Sequence, residues 1–234
     1  MCLLSKSFKK VVVVSKDMQK IFTNRLRFKE NKVAMIHNGA DIPDCSTKKR
    51  EKSKFIVGSM GRIYPVKDYP LMVEVAREVS KRTDKIQFVL AGDGPDRGKI
   101  MELIERNGLR NMFLLKGFVD NLSEFYPYLD LYMNTSLHEG IPMSILEAMS
   151  YELPIIAPNV GGIKEIVNNG IEGYLLDERD PKRFADLCLQ LQNNNNLRKS
   201  MGVSARHKIE NEYSNERMAK EYNRLYLDLV GGIN

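Results

Sequence analysis

The run His138-Glu139-Gly140-Ile141-Pro142-Met143-Ser144-Ile145-Leu146-Glu147-Ala148-Met149 carries two carboxylates eight residues apart, one before a turn and one inside a helix. Pro142 suits the first helical position, where its missing N–H is not needed, and the helix is expected to run to about Tyr151. Ile145, Leu146 and Met149 form an apolar stripe at helical spacing. Ser144 and Glu147, three apart, fall on the other side. Glu139 precedes the helix, where free backbone N–H groups point outward and hold a phosphate or another anion well. Taken alone, the pair reads as a loop acid and a solvated helix acid, since charged side chains are mostly exposed. The surrounding chain reverses that reading.

Outward from this run, strands and helices alternate. Strands are predicted at 55–60, 86–91, 112–116, 131–134, 155–157 and 173–176. Helices are predicted at about 69–82, 96–107, 142–151 and 181–192, with short ones near 122–128 and 164–167. This rhythm predicts an α/β fold, a Rossmann-like, doubly wound parallel sheet of about six strands with right-handed crossovers. Upstream, 11–14 reads as a short strand, Ser15-Lys16-Asp17 caps a helix to about Arg27, 33–36 is extended and Asn38-Gly39 is a turn. Residues 40–54, polar with a basic cluster, read as a connector. Downstream, Asn193 to Asn196 reads as a turn, followed by helices at about 197–212 and 215–230. Tyr222, Leu225, Tyr226 and Leu229 make an apolar stripe on the last helix, which needs a surface to lie on.

Composition sets outer bounds. With 43% hydrophobic and 28% charged residues among 234, the chain has the balance of an ordinary globular protein. No apolar run approaches membrane-span length, and the first ten residues are too short and polar for a signal peptide. Cys2, Cys45 and Cys188 lie far apart, which fits free thiols in a reducing compartment, and His37, His138 and His207 show no ligand spacing. No metal site is expected. The net charge of +6 gathers partly at Lys6 to Lys10 and Lys48 to Lys52. These basic runs are not interleaved with aromatics, so nucleic acid is not expected as a partner. An anionic membrane surface and a solvated linker both suit them.

In an open parallel sheet the ligand lies beyond the carboxyl ends of the strands. Here those ends carry Gly61-Arg62-Ile63-Tyr64-Pro65-Val66-Lys67, Gly92-Asp93-Gly94-Pro95, Gly117-Phe118-Val119, Thr135 through Pro142, and Pro158-Asn159-Val160-Gly161-Gly162. Glycines admit close backbone approach, while Arg62 and Lys67 offer charge-assisted bonds suited to a diphosphate. Converging loops of this kind point to a phosphorylated ligand. A dinucleotide would call for GxGxxG after the first strand and an acid about 20 residues on, and Gly58 and Gly61 do not supply it. Glycoside hydrolysis also uses paired carboxylates, but it needs no anion site at a helix start. Glu139 near an anomeric carbon and Glu147 near a ribose suit a nucleotide-sugar.

At these residues the chain resembles the retaining glycosyltransferases of family 4, which have the GT-B fold. The E-x7-E motif falls on Glu139 and Glu147, and the G-R-x-x-x-x-K loop on Gly61, Arg62 and Lys67. The linker motif falls on Ile36-His37-Asn38-Gly39-Ala40-Asp41, GDGP on Gly92 to Pro95, and VGG-x-x-E-I on Val160 to Ile166. The resemblance implies catalytic roles for Glu139, Arg62 and Lys67, with Arg62 and Lys67 on the donor diphosphate and Glu139 near the reacting carbon. It implies that Glu147 accepts from the ribose, that the backbone of Gly140, Ile141, Pro142, Met143 and Ser144 meets the distal phosphate and sugar, and that Phe118 and Val119 meet the base. Gly61, Gly92, Gly94 and His138 complete the implied donor site.

No cofactor or essential metal is implied. The donor would be a UDP- or GDP-sugar, and a hexosyl group would pass to a glycan or lipid-linked acceptor with retention. The setting would be cytoplasmic, with peripheral contact on the inner face of the membrane. Residues 1–37 would be the end of an acceptor domain, 38–214 the donor domain, and 215–234 a helix that packs on the acceptor domain. Most of that acceptor domain has no counterpart here, so a separate acceptor-domain partner and weak activity of the chain alone are expected. The alternative is a non-catalytic donor-binding subunit or truncated remnant that needs a separate acceptor-domain partner, and a nucleotide-sugar epimerase is a third reading.

Overall fold

The computed structural model describes residues 8–44 and 53–231. Two strands, β1 (Val11–Val13) and β2 (Val33–Met35), pair in parallel around α1 (Lys16–Lys20). Six more form one parallel sheet: β3 (Phe55–Met60), β4 (Ile86–Ala91), β5 (Phe113–Gly117), β6 (Leu131–Met133), β7 (Ile155–Pro158) and β8 (Gly173–Leu176). Their order is β5-β4-β3-β6-β7-β8. The chain therefore steps outward one way from β3 and the other way from β6, and the direction reverses between these two. Such a switch point opens a crevice at the strand carboxyl ends.

Side chains alternate across the sheet, and both faces are apolar. Val57, Phe88, Leu90, Leu131, Met133 and Ile156 pack under α2 (Tyr69–Ser80), α3 (Arg97–Arg106) and α6 (Pro181–Asn193). Ile56, Val89, Tyr132, Ile155 and Ala157 pack under α4 (Met143–Ser150), α5 (Ile163–Ile166) and α7 (Asn195–Glu212). Burial on both faces is why these strands read as apolar runs, as parallel strands covered by helices do. The last helix, α8 (Asn215–Gly231), buries none of its side chains in this chain. Tyr226 is 59% exposed, while Tyr222, Leu225 and Leu229 are half-buried.

The structure corrects several local expectations. Pro142 is the residue before the helix, in extended backbone, and α4 starts at Met143. The α1 helix ends at Lys20 and widens into a π-helical turn, Ile21–Arg25. The short helix expected near 122–128 is two 3-10 turns, Leu122–Glu124 and Tyr126–Tyr128, separated by the buried Phe125. The four asparagines do not form a turn: α6 keeps Asn193, α7 takes Asn195, and the Asn194 side chain caps α7 by accepting from Leu197 N–H at 3.0 Å. The basic run at 48–52, Cys2, Cys45 and Lys6 lie outside the described residues. Cys188 is buried without a disulfide.

Candidate active site

The loops after β3 and β6 face each other across the switch point. Val66 O accepts from Leu137 N–H at 2.8 Å, and Lys67 O accepts from the Thr135 hydroxyl at 2.8 Å. Lys67 Nζ then donates to Glu139 Oε1 at 2.6 Å. The Ser136 hydroxyl donates to the same oxygen at 2.6 Å. Lys67 and Glu139 are both mostly covered, with side chains 24% and 11% exposed. Two of the expected catalytic groups thus meet in one ion pair, at a place where an incoming anion would compete with Glu139 for the ammonium.

Arg62 behaves differently. It points outward, with its guanidinium 4.8 Å above the Tyr64 ring, and does not join Lys67 in the ion pair. A cation held over an aromatic face keeps its position while its N–H groups stay open to solvent. The loops around it are fixed by backbone contact. Ile63 N–H donates to Asp93 O at 2.8 Å, and Gly61 N–H to Ala91 O at 3.0 Å. At Gly92 (φ 133°) a side chain would collide with Gly61 O, and at Gly94 with Ile63 O. The expected donor glycines Gly61, Gly92 and Gly94 therefore hold the β3 and β4 loops together.

The other carboxylate sits apart from the first. Glu147, in the middle of α4, is half-buried, and its Oε2 accepts from the Tyr126 hydroxyl at 2.7 Å. It is not on a solvated face. Ser144, on the same side of the helix away from the apolar stripe, is half-buried too. Burial and the neighbouring carboxylate push the Tyr126 hydroxyl well above its ordinary range, and burial pushes Tyr132 up to about 12. Both stay protonated donors at neutral pH. A cavity of about 280 Å³ opens beside Glu147, lined also by Met143, Tyr151, Asn121, Ser123 and Asp41. It lies at the Glu147 end of the site and does not include Lys67 or Glu139.

Between the two carboxylates runs the turn His138 to Pro142. His138 is exposed, Gly140 is half-buried, and Ile141 and Pro142 are buried. Helix geometry leaves the first-turn amides of Met143 and Ser144 without intrahelical partners, since the bonds to Pro142 O start at Ile145 and Leu146. The turn is braced from behind by the β7 loop. Gly162 N–H donates to Glu139 O at 3.1 Å, and a Cβ on Gly161 (φ 52°) or Gly162 would strike Glu139 O or Gly140 O. The sequence puts these two glycines on the ligand edge, and in the structure they support the Glu139 turn. Phe118 stands 77% exposed at the rim and Val119 is half-buried. Among the described residues no cluster of ligating side chains could hold a metal ion.

Sequence reasoning missed three participants. Ser136 and Tyr126 touch the two carboxylates directly, yet a serine in a strand-end loop and a tyrosine in an apolar turn carry no local signal. Arg179, after β8, donates to the Asp68 carboxylate and to the carbonyls of Thr135 and Ser136. It joins positions more than 40 residues away.

The family model for glycosyl transferases group 1 matches residues 44–208. The chain belongs to this family. Among its glycosyltransferase relatives is the poly(ribitol-phosphate) alpha-N-acetylglucosaminyltransferase of Staphylococcus aureus (strain COL), 31% identical over 179 residues, covering 76% of this chain and 36% of that protein. Another is the UDP-Gal:alpha-D-GlcNAc-diphosphoundecaprenol alpha-1,3-galactosyltransferase of Escherichia coli, 25% identical, covering 94% of this chain and 60% of that one. A variant of Staphylococcus aureus TarM, solved in complex with Fondaparinux, alpha-GlcNAc-glycerol and UDP, superposes with a TM-score of 0.87 at 27% identity over 95% of this chain and 44% of that one. This glycosyl transferase chain thus spans between about a third and three fifths of the length of these relatives. Its sheet has the Rossmann-like architecture of a GT-B domain. No described helix is long and apolar enough to cross a membrane.

Proposed function

We propose that the chain is the donor-binding part of a retaining glycosyltransferase of family 4, taking a nucleotide-diphosphate sugar without a metal or other cofactor. The observation that carries this reading is the Lys67–Glu139 pair at the switch point, 2.6 Å apart, with Glu147 eight residues further along at a cavity. A diphosphate entering at the start of α4 would meet Lys67, Arg62 and the amides of Met143 and Ser144. It would draw Lys67 from Glu139 and free that carboxylate beside the sugar. Charge that develops on the leaving diphosphate would then be stabilised by groups already in place. Glu147, oriented by Tyr126, would accept from the ribose, with Phe118 and Val119 at the base. The reading is supported by family membership and by relatives named as transferring sugars to glycan and lipid-linked acceptors.

Acceptor choice would lie in a further domain that residues 8–36 and α8 would face, at the inner surface of the membrane. The half-exposed apolar residues of α8 favour a second reading, a donor-binding subunit that docks on a separate acceptor-domain protein. Capture of such a partner, lost on Leu225→Asp, would support it. The test of the main reading is calorimetric titration with UDP, GDP and ADP and their sugars. Binding of one nucleotide, weakened by both Arg62→Ala and Glu147→Ala, is the expected result. A folded chain that binds none of them overturns it. Robust sugar transfer by the chain alone would overturn the proposed need for a further domain.

A further inference from the structure

We propose that Arg179 is a positioning residue for the Lys67–Glu139 pair, an inference that rests on the donor-site reading above. Arg179 follows β8, at the sheet edge, with β7 between β8 and β6. Its side chain crosses that gap and forks. One nitrogen, Nη1, donates to Ser136 O at 3.1 Å, while Nη2 donates to Thr135 O and to the Asp68 carboxylate. Its side chain is 30% exposed and that of Asp68 26%, so the junction is largely covered.

Each of the three partners is the backbone or chain neighbour of a site group. Ser136 donates its hydroxyl to Glu139, Thr135 donates to Lys67 O, and Asp68 follows Lys67 directly. Asp68 also sits in the left-handed region (φ 44°, ψ 50°), an uncommon conformation for an L residue that aspartate adopts more readily than most. A planar guanidinium satisfies two carbonyls and a carboxylate at once, and an ammonium cannot copy that geometry. Arg179 thereby fixes the distance between the loop that carries Lys67 and the loop that carries Glu139. It makes no bond to either charged group itself.

The experiment compares the wild-type chain with Arg179→Ala, Arg179→Lys and Asp68→Asn. Backbone amide exchange across 134–140 needs no ligand. It is expected to quicken about tenfold or more in all three, the loss of a charge-assisted bond, with strands β7 and β8 unchanged. Unchanged exchange in these amides overturns the proposal whether or not a nucleotide binds. Titration with whichever of UDP, GDP and ADP the wild-type chain binds, and with its monophosphate, reads the same point through function. Arg179→Ala should lower diphosphate affinity about tenfold or more and leave that of the monophosphate within about twofold, because only the diphosphate spans the site formed by Lys67, Arg62 and the first amides of α4. An equal loss for the diphosphate and the monophosphate would mark Arg179 as a support of the whole fold and overturn the positioning role. A wild-type chain that binds none of UDP, GDP and ADP removes the donor reading, and the exchange measurement still decides the fate of the Arg179 clamp.

Discussion

Lys67 is the residue on which binding and stability should separate most clearly. Its ion pair with Glu139 is partly solvated, and such pairs contribute on the order of 1 kcal/mol or less to folding. A charge-assisted bond to a phosphate contributes about 1.5–3 kcal/mol. Lys67→Met should therefore lower the affinity for the proposed nucleoside diphosphate by about ten- to a hundredfold and shift the melting temperature by only a few degrees at most. Calorimetry and thermal melting on the same sample check both halves. Equal, large losses in both would show that Lys67 serves the fold. Tyr126 should behave in the opposite way. Its hydroxyl is buried against Glu147 Oε2 at 2.7 Å, so Tyr126→Phe should cost about 1 kcal/mol of stability. It should weaken nucleotide binding only a few-fold, because Glu147 keeps its place on α4. At this scale the sequence exposed the carboxylates and Lys67 through their motif spacing. Ser136, Tyr126 and Arg179 stayed hidden, because their roles come from contacts across 3, 21 and 111 residues that no local pattern encodes.

Elements were legible where one face or both faces of a segment had to be buried. The strands Phe55–Met60, Ile86–Ala91 and Gly173–Leu176 appear at their expected bounds, since a short, largely apolar run between polar loops leaves few other choices. The helix ends were less legible. Capping at Asn194 depends on one side chain reaching Leu197 N–H, and composition alone suggested a loop. The π-helical turn at Ile21–Arg25 has no periodicity that marks it in advance. The β7 loop belongs to this scale too. Gly161 reads as one more ligand-edge glycine, but its positive φ and its approach to Glu139 O make it a brace. Gly161→Ala should impose about 1–3 kcal/mol of backbone strain and push the Glu139 turn away from Lys67. The expected result is a melting temperature lowered by several degrees with nucleotide binding lost, measured by calorimetry below the transition. Intact binding at full affinity would show that the turn tolerates the shift.

For the whole molecule, the two apolar layers and the switch point explain why the site can be both rigid and polar. Buried tyrosines line the side of the crevice away from solvent. Tyr69, Tyr126 and Tyr132 are all fully or nearly covered, and burial raises the hydroxyl of each above the ordinary value of 10.0, that of Tyr132 to about 12. The neutral form is thus favoured in the folded state more than in the unfolded state. Stability from these groups is fully present below pH 10, the unfolded value, and is lost as pH rises through the folded values, because the unfolded chain releases its protons first. The melting temperature should be level between about pH 7 and 8, begin to fall near pH 9, where the unfolded Cys188 thiol ionises and the buried one stays protonated, and fall more steeply above about pH 10. Tyr132→Phe removes one ionisable hydroxyl, which donates to Met60 O at 3.1 Å. It should lower stability by about 1 kcal/mol at neutral pH and make the alkaline fall shallower. Thermal melting of both chains from pH 7 to 11.5 measures this. A wild-type melting temperature that stayed level through pH 11 would mean that these hydroxyls ionise as readily folded as unfolded, and that the crevice wall is open to water.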